Sequence, residues 1–265
     1  MACPWPNAAW FGGPAWCLLA GALMLASPGV AGPLAAIGAD SSDPCPAEQA
    51  RRAAPPPNAP PPNTTPPHPT PPPDPRGPGP DTAPDYRERL QAGPYGWVHR
   101  PHWCVWVEPA DSTGTATAVE QRWRAAVEAA LVPWQGVVPL TLVSEPERAQ
   151  VRVRRQRPPL RREANGRQRA SHGRALLEVG EVQRRGQWQL EPQVVVLISP
   201  GQRQAAIQAT ALHELGHAFG LWGHSDNPAD AMAAQPGPLP ILQLSARDRA
   251  SLGWVLRQPS RFAQP

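Results

Sequence analysis

The sequence predicts an α+β domain, and three observations predict it: short alternating apolar runs through its middle, one amphipathic helical stretch among them, and two helical stretches after them. Residues 102–108 (HWCVWVE) alternate as a strand does, and residues 115–132 then place Val119, Trp123, Val127 and Leu131 on one helical face. VPLTLV at 138–143 and AQVRVRR at 149–155 read as two short strands. A Gly- and Arg-rich loop separates them from ALLEVGEVQ at 175–183 and QVVVLIS at 193–199. The last run is continuously apolar, as a strand covered on both faces is. A helix is expected from about Gln202 to Phe219, followed by a Pro/Gly-rich stretch over 226–240. The final helix is expected from about Ala246 to Leu256, with Ser245 as its N-cap. These elements predict one mixed, twisted sheet backing the second helix, in a domain spanning 85–265.

The N-terminal third has a different character. Residues 16–26 (WCLLAGALMLA) form an apolar core followed by small residues, as in an export signal ending at Ala31. An uncleaved membrane anchor is the alternative, weakened by Gly12, Gly13, Pro14 and Gly21 in so short a span. Residues 32–84 are expected to be a linker, because the stretch 55–80 is dominated by proline, which holds chain extended and offers little to pack. This organisation predicts a secreted, periplasmic or envelope-exposed monomer, with tethering through the N-terminus as an option. Cys3 and Cys17 fall in the apolar segment, leaving Cys45 and Cys104 for the mature chain. Two cysteines make no disulfide framework. They can pair in an oxidising compartment, but Cys45 lies in the expected linker, which argues against pairing.

The net charge is +4, and every basic side chain other than histidine is an arginine. Eight arginines lie between Arg152 and Arg169, and a solvated strand edge and loop accounts for them better than a site for an anionic partner such as a polysaccharide or a membrane surface does. No nucleic-acid partner is expected.

The chemistry concentrates in HELGHAFGLWGH, residues 213–224. His213 and His217 are four apart, so on a helix both imidazoles project from one face and can share one Zn²⁺. Glu214 lies beside the first ligand, where its carboxylate can serve as general base without being a ligand itself. Gly220 supplies the left-handed conformation that ends a helix and turns the chain. His224 can then return to the metal, giving three nitrogens with a fourth position open, the arrangement of a catalytic zinc. The chain's own His and Glu content gives HExxH by chance only about 0.008 times. Two incidental histidines on a helix are therefore a poor account of the segment.

These residues resemble the metzincins, and within them the matrixins, whose pattern is HExxHxxGxxH followed by a methionine turn. His213, Glu214, His217 and Gly220 fall on that pattern, and Met232 follows His224 at the matrixin spacing. The third histidine comes one residue late, with Gly223 where the family has its ligand. Bacterial matrixin-like proteins, cyanobacterial ones included, resemble this WGHS form together with a tail like LSARDRASLGWVLRQPS, and the similarity runs from about Trp97 to Pro259. Asp226 is the reserve third ligand, and Asp230 a turn residue or one that orients a ligand. Ala233 stands where the family often carries tyrosine, which removes any tyrosine contribution at that point.

The resemblance implies a zinc endopeptidase acting on protein or peptide, with one catalytic Zn²⁺; a structural Ca²⁺ or second Zn²⁺ stays open. The substrate would add as an extended strand along a sheet edge, and residues 235–242 would wall the pocket beside the cleavage site. The competing reading is an inactive module on a Pro-rich stalk that binds zinc or anionic polymers. Retention of Glu214 argues against it. A hydrolase with a glutamate third ligand is nearly excluded, since no glutamate follows Glu214. His99, His102 and His172 read as surface or edge residues, and Cys45 as a weak candidate for an inhibitory thiolate.

Overall fold

The computed structural model describes residues 43–57, 85–111, 117–162 and 168–262. The expected signal segment 1–31 and most of the expected linker, residues 32–42 and 58–84, lie outside them. Six strands form one mixed sheet in the order β1-β7-β8-β4-β2-β3. They are β1 (Ala50–Ala53), β2 (Trp103–Val107), β3 (Leu140–Leu142), β4 (Val151–Arg154), β7 (Gly173–Arg184) and β8 (Gln187–Ile198). Strands β2, β3, β4 and β8 run parallel, while β7 is antiparallel to both β8 and β1. A two-stranded ribbon, β5 (Arg161–Arg162) with β6 (Gln168–Arg169), lies in the Arg-rich loop.

Helix α1 (Ala118–Gln135) starts at a capping box: the Thr117 hydroxyl accepts from the Glu120 N–H, and the Glu120 carboxylate accepts from the Thr117 N–H. Of the face expected to be apolar, Trp123, Val127 and Leu131 are buried, whereas Val119 is 41% exposed. Val119 belongs to the first turn, and the helix enters the core only from Trp123. Helix α2 (Gln204–Ala218) packs against α1. Two of the fully buried tryptophans place their indole N–H groups on neighbouring elements, Trp123 on the Ile198 carbonyl (3.1 Å) and Trp134 on the Leu212 carbonyl (3.1 Å). Trp103, Trp134 and Phe219 then gather at the C-terminal end of α2, with ring centroids 5.6 to 5.9 Å apart for the two contacts to Phe219. Helix α3 (Ala246–Leu256) begins at Ser245, which forms a second capping box with Asp248. No helix among the described residues is long and apolar enough to cross a membrane.

The expected linker is corrected at its start, because residues 43–57 are part of the folded domain. Cys45 and Cys104 form a disulfide with Cα atoms 5.8 Å apart. Strand β1 pairs with β7 from Ala50↔Gln183 to Ala53↔Gly180. Arg148 binds the Asp43 carboxylate (2.6 Å) and the Cys45 carbonyl (2.7 Å), and Arg184 donates to the Pro46 carbonyl. Almost none of this attachment is apolar burial, and apolar pattern was the basis for placing the segment outside the fold. The ladder stops where Pro55, Pro56 and Pro57 bring no N–H to donate.

Candidate metal centre

Helix α2 carries His213, Glu214 and His217 on its last two turns. His213 Nδ1 is 2.8 Å from the Ala231 carbonyl oxygen, and His217 Nδ1 is 2.7 Å from the Leu221 carbonyl oxygen. A carbonyl only accepts, so each Nδ1 carries the proton and each Nε2 keeps its lone pair, the tautomer a metal ligand needs. Burial pushes the pKa of His213 down to about 4 and that of His217 down to about 3, keeping both neutral at physiological pH. The exposed His224 completes the group: the three side chains each offer one ligand atom, all within 4.8 Å of one another. Ring centroids of the three histidines lie 5.0 to 5.2 Å apart. Three neutral imidazoles converging on one point, with no carboxylate among them, fit Zn²⁺ with one coordination position left open.

Glycines create the route by which His224 reaches this point. Gly220 has φ +123°, and a Cβ there would lie 2.6 Å from the Val98 carbonyl oxygen, so both backbone conformation and space require glycine. Gly223 bridges to Leu90, and a Cβ on it would fall 2.2 Å from the Arg89 carbonyl oxygen. Position 223, where the HExxHxxGxxH pattern has its third histidine, is thus a backbone crossing in this chain, and the next residue, His224, lies with the other histidines. Asp226, the reserve ligand, stands apart in ion pairs with Arg89 and Arg247, both at 3.0 Å.

Glu214 sits against the start of β7. A Cβ on Gly173 would come within 2.7 Å of its carboxylate, so that glycine makes room for the side chain. Burial raises the Glu214 pKa to about 7, opposed by the Ala175 backbone N–H and the Arg174 charge. An open cleft of about 1360 Å³ runs past these groups, bordered by Ser171–Ala175 and Leu177 on one side and Pro236–Ile241 on the other.

Met232 is fully buried beneath the histidines, against Gly216 of α2. The turn holding it is fixed from two directions. Ser225 N–H donates to the Met232 carbonyl (2.8 Å) and Ala234 N–H to the Ser225 carbonyl (2.9 Å), tying the neighbour of His224 to the methionine. Asp248, wholly buried at the start of α3, accepts from Ala231 N–H (2.9 Å), Ser245 N–H (2.9 Å) and Tyr86 hydroxyl (2.8 Å). Asp230 accepts from the Ser225 hydroxyl and from Arg247 (3.1 Å), and so steadies the same turn.

Sequence reasoning missed Gly173, Gly216, Asp248 and Tyr86. The glycine of HELGH and the capping pattern SARD were the available signals, but their partners are remote in the chain. His99 is corrected from a surface residue: it is buried, its Nε2 2.8 Å from the Gln258 carbonyl oxygen. Cys45 is bound to Cys104, away from the histidine group, so it is no free thiolate for the metal. No family model matches this chain, and no curated protein matches it.

Proposed function

We propose that the protein is a zinc-dependent endopeptidase, acting on protein or peptide substrates outside the cytosol. The observation that carries this reading is the pairing of His213, His217 and His224 with a buried Glu214 that stands beside them without joining the ligand group. A purely structural zinc has no use for such a carboxylate. When bound, Zn²⁺ supplies Lewis acidity toward the scissile carbonyl and lowers the pKa of water to roughly 7. The chain's residues do the rest. His213 and His217 present Nε2 in fixed tautomers, held by the Ala231 and Leu221 carbonyls. The Glu214 carboxylate accepts the proton of the attacking water and passes it to the leaving amine, as a base of raised pKa does well near neutrality. The edge of β7 over residues 173–179, which no strand among the described residues pairs, offers backbone groups to an extended peptide next to that carboxylate. The Cys45–Cys104 disulfide supports an oxidising compartment, consistent with export.

The test combines zinc content with cleavage of an unstructured protein such as casein. The wild type should hold one zinc and cleave; Glu214→Gln should keep the zinc and lose activity by about 10² to 10⁴-fold; His224→Ala should lose metal. A wild type that binds zinc and cuts nothing would overturn the reading in favour of a zinc-binding module.

A further inference from the structure

Resting on the endopeptidase reading, we infer that β1 caps the substrate edge, so that the cleft accepts only about four residues on the N-terminal side of the scissile bond. Strand β7 is the edge of the sheet next to Glu214, and β1 covers only part of it, from Gly180 to Gln183. The carboxylate of Glu214 takes a hydrogen bond from the Ala175 N–H, which therefore points away from β8 toward the cleft. Backbone groups alternate along a strand, so those of Leu177 and Val179 face the same way. The scissile bond belongs at the level of Ala175, because that is where the general base stands. Between Ala175 and the first residue taken by β1 lie residues 176, 177, 178 and 179.

The place of β1 on the edge, together with the direction of the added peptide, decides which side of the substrate is limited. β1 runs antiparallel to β7, with Ala50 opposite Gln183 and Ala53 opposite Gly180, so its C-terminal end points along the edge toward Glu214. A peptide adding antiparallel to the same edge runs in line with β1 and follows behind it. Its N-terminal arm then meets Ala53, while its C-terminal arm leaves past Gly173 toward Ser171 and His172, where the cleft is open. The stop is firmly held. Arg52 is paired with Glu181 and lies 4.2 Å from the centroid of the Trp188 ring. Arg51 is paired with Glu48, and the Tyr95 hydroxyl donates to the Pro55 carbonyl at 2.9 Å, just beyond Pro94 at the cleft border. Disulfide Cys45–Cys104 anchors the segment from its other side. The favoured substrates are accordingly flexible N-terminal tails or short peptides, cut within about four residues of their start.

The experiment uses the zinc-loaded full chain and two peptide series sharing one cleavage sequence. One series carries three, four, six or eight residues before the scissile bond; the other is lengthened only after it. The inference expects kcat/KM to fall at least tenfold between four and six residues in the first series, with no fall in the second. It further expects Cys45→Ala with Cys104→Ala, which releases the anchor, to restore cleavage of the longer peptides. Equal or rising kcat/KM at six and eight residues in the wild type overturns the inference while leaving the endopeptidase intact, whether or not the double variant folds. A fall confined to the second series overturns the assigned direction. If casein and every peptide stay uncut, the endopeptidase reading falls and this inference with it.

Discussion

Met232 stands where a side chain on Gly216 would have to be: a Cβ built on that glycine would lie 2.2 Å from the methionine sulfur and 3.1 Å from the Trp134 ring. Gly216 is on α2 between the two histidines of the helix, so the contact sets how closely the turn carrying Met232 approaches His213 and His217. The same turn provides the Ala231 carbonyl that fixes His213. Packing here is therefore coupled to ligand orientation.

Gly216→Ala should separate α2 from the turn. Overpacking of this kind costs about 1 to 3 kcal/mol, and the displaced Ala231 carbonyl should weaken zinc binding as well. Thermal unfolding and a zinc-chelator titration check both effects. Met232→Leu, close in volume, should cost less than about 1.5 kcal/mol and leave zinc affinity nearly unchanged. A Gly216→Ala protein as stable and as zinc-avid as the wild type would show the contact to be slack.

Asp248 joins three parts of the molecule that are distant in sequence: the cap of α3, the turn before Met232, and Tyr86 at the start of the second described segment. Asp248→Ala removes the charged acceptor and leaves buried donors without a partner, so a loss of about 3 kcal/mol is expected. Asp248→Asn keeps one carbonyl acceptor and should lose roughly half as much. Tyr86→Phe removes a single hydrogen bond and should cost about 1 kcal/mol. Chemical denaturation of the three variants gives the order directly.

Strands β2, β3, β4, β7 and β8, the helices and the histidine constellation were readable because each leaves a periodic or spaced trace in the chain, whereas the order of the strands in the sheet leaves none. Residues 193–199 announce a buried strand by an unbroken apolar run, and His213 and His217 announce a shared face by their separation of four. What escaped was held by other forces. Strand β1 has the sequence ARRA, with three of its four residues exposed, and it stays in the sheet through backbone pairing, arginine contacts and a disulfide. Gly173, Gly216 and Gly223 matter for the atoms they exclude, and no local pattern tells a glycine what lies across from it. Ser245 was legible as a helix start, whereas the use of Asp248 on the turn before Met232 depends on tertiary contact alone.

Strand β1 makes a prediction about where the domain begins. Cys45 and Cys104 are 59 residues apart, and closing a loop of that length stabilises the folded state by about 4 kcal/mol on the chain-entropy account. Reduction by a dithiol should lower the unfolding midpoint accordingly. Removal of residues 1–84 should destabilise the domain further, because it also takes away β1 and the Arg148 partners Asp43 and Cys45. A chain starting at residue 43 should match the full chain in thermal stability. Equal stability for a chain starting at 85 would show that β1 is only loosely attached.

Glu191 is wholly buried in β8 and receives two hydrogen bonds from Arg184, both at 2.8 Å, with Gln150 at 3.3 Å and Arg100 at 3.7 Å. Burial pushes its carboxyl pKa up, but the Arg184 hydrogen bonds and charge, with Arg100 and Gln150 behind them, outweigh burial and hold it below the ordinary value. The folded state therefore binds this proton less readily than the unfolded chain does. Its contribution is present in full above the unfolded pKa, near 4.5, and disappears as pH falls through the lowered folded value. Replacing it by Gln leaves Arg184 buried without its counter-charge, and an expected loss of about 3 to 5 kcal/mol at pH 7 follows. Because the amide does not titrate, the gap between wild type and Glu191→Gln should narrow below pH 4.5. Urea unfolding of both proteins at pH 7, 5 and 3.5 measures it. A gap that stays constant down to pH 3.5 would mean that the carboxyl titrates alike in the folded and unfolded chains, so that Arg184 does not hold it below the ordinary value.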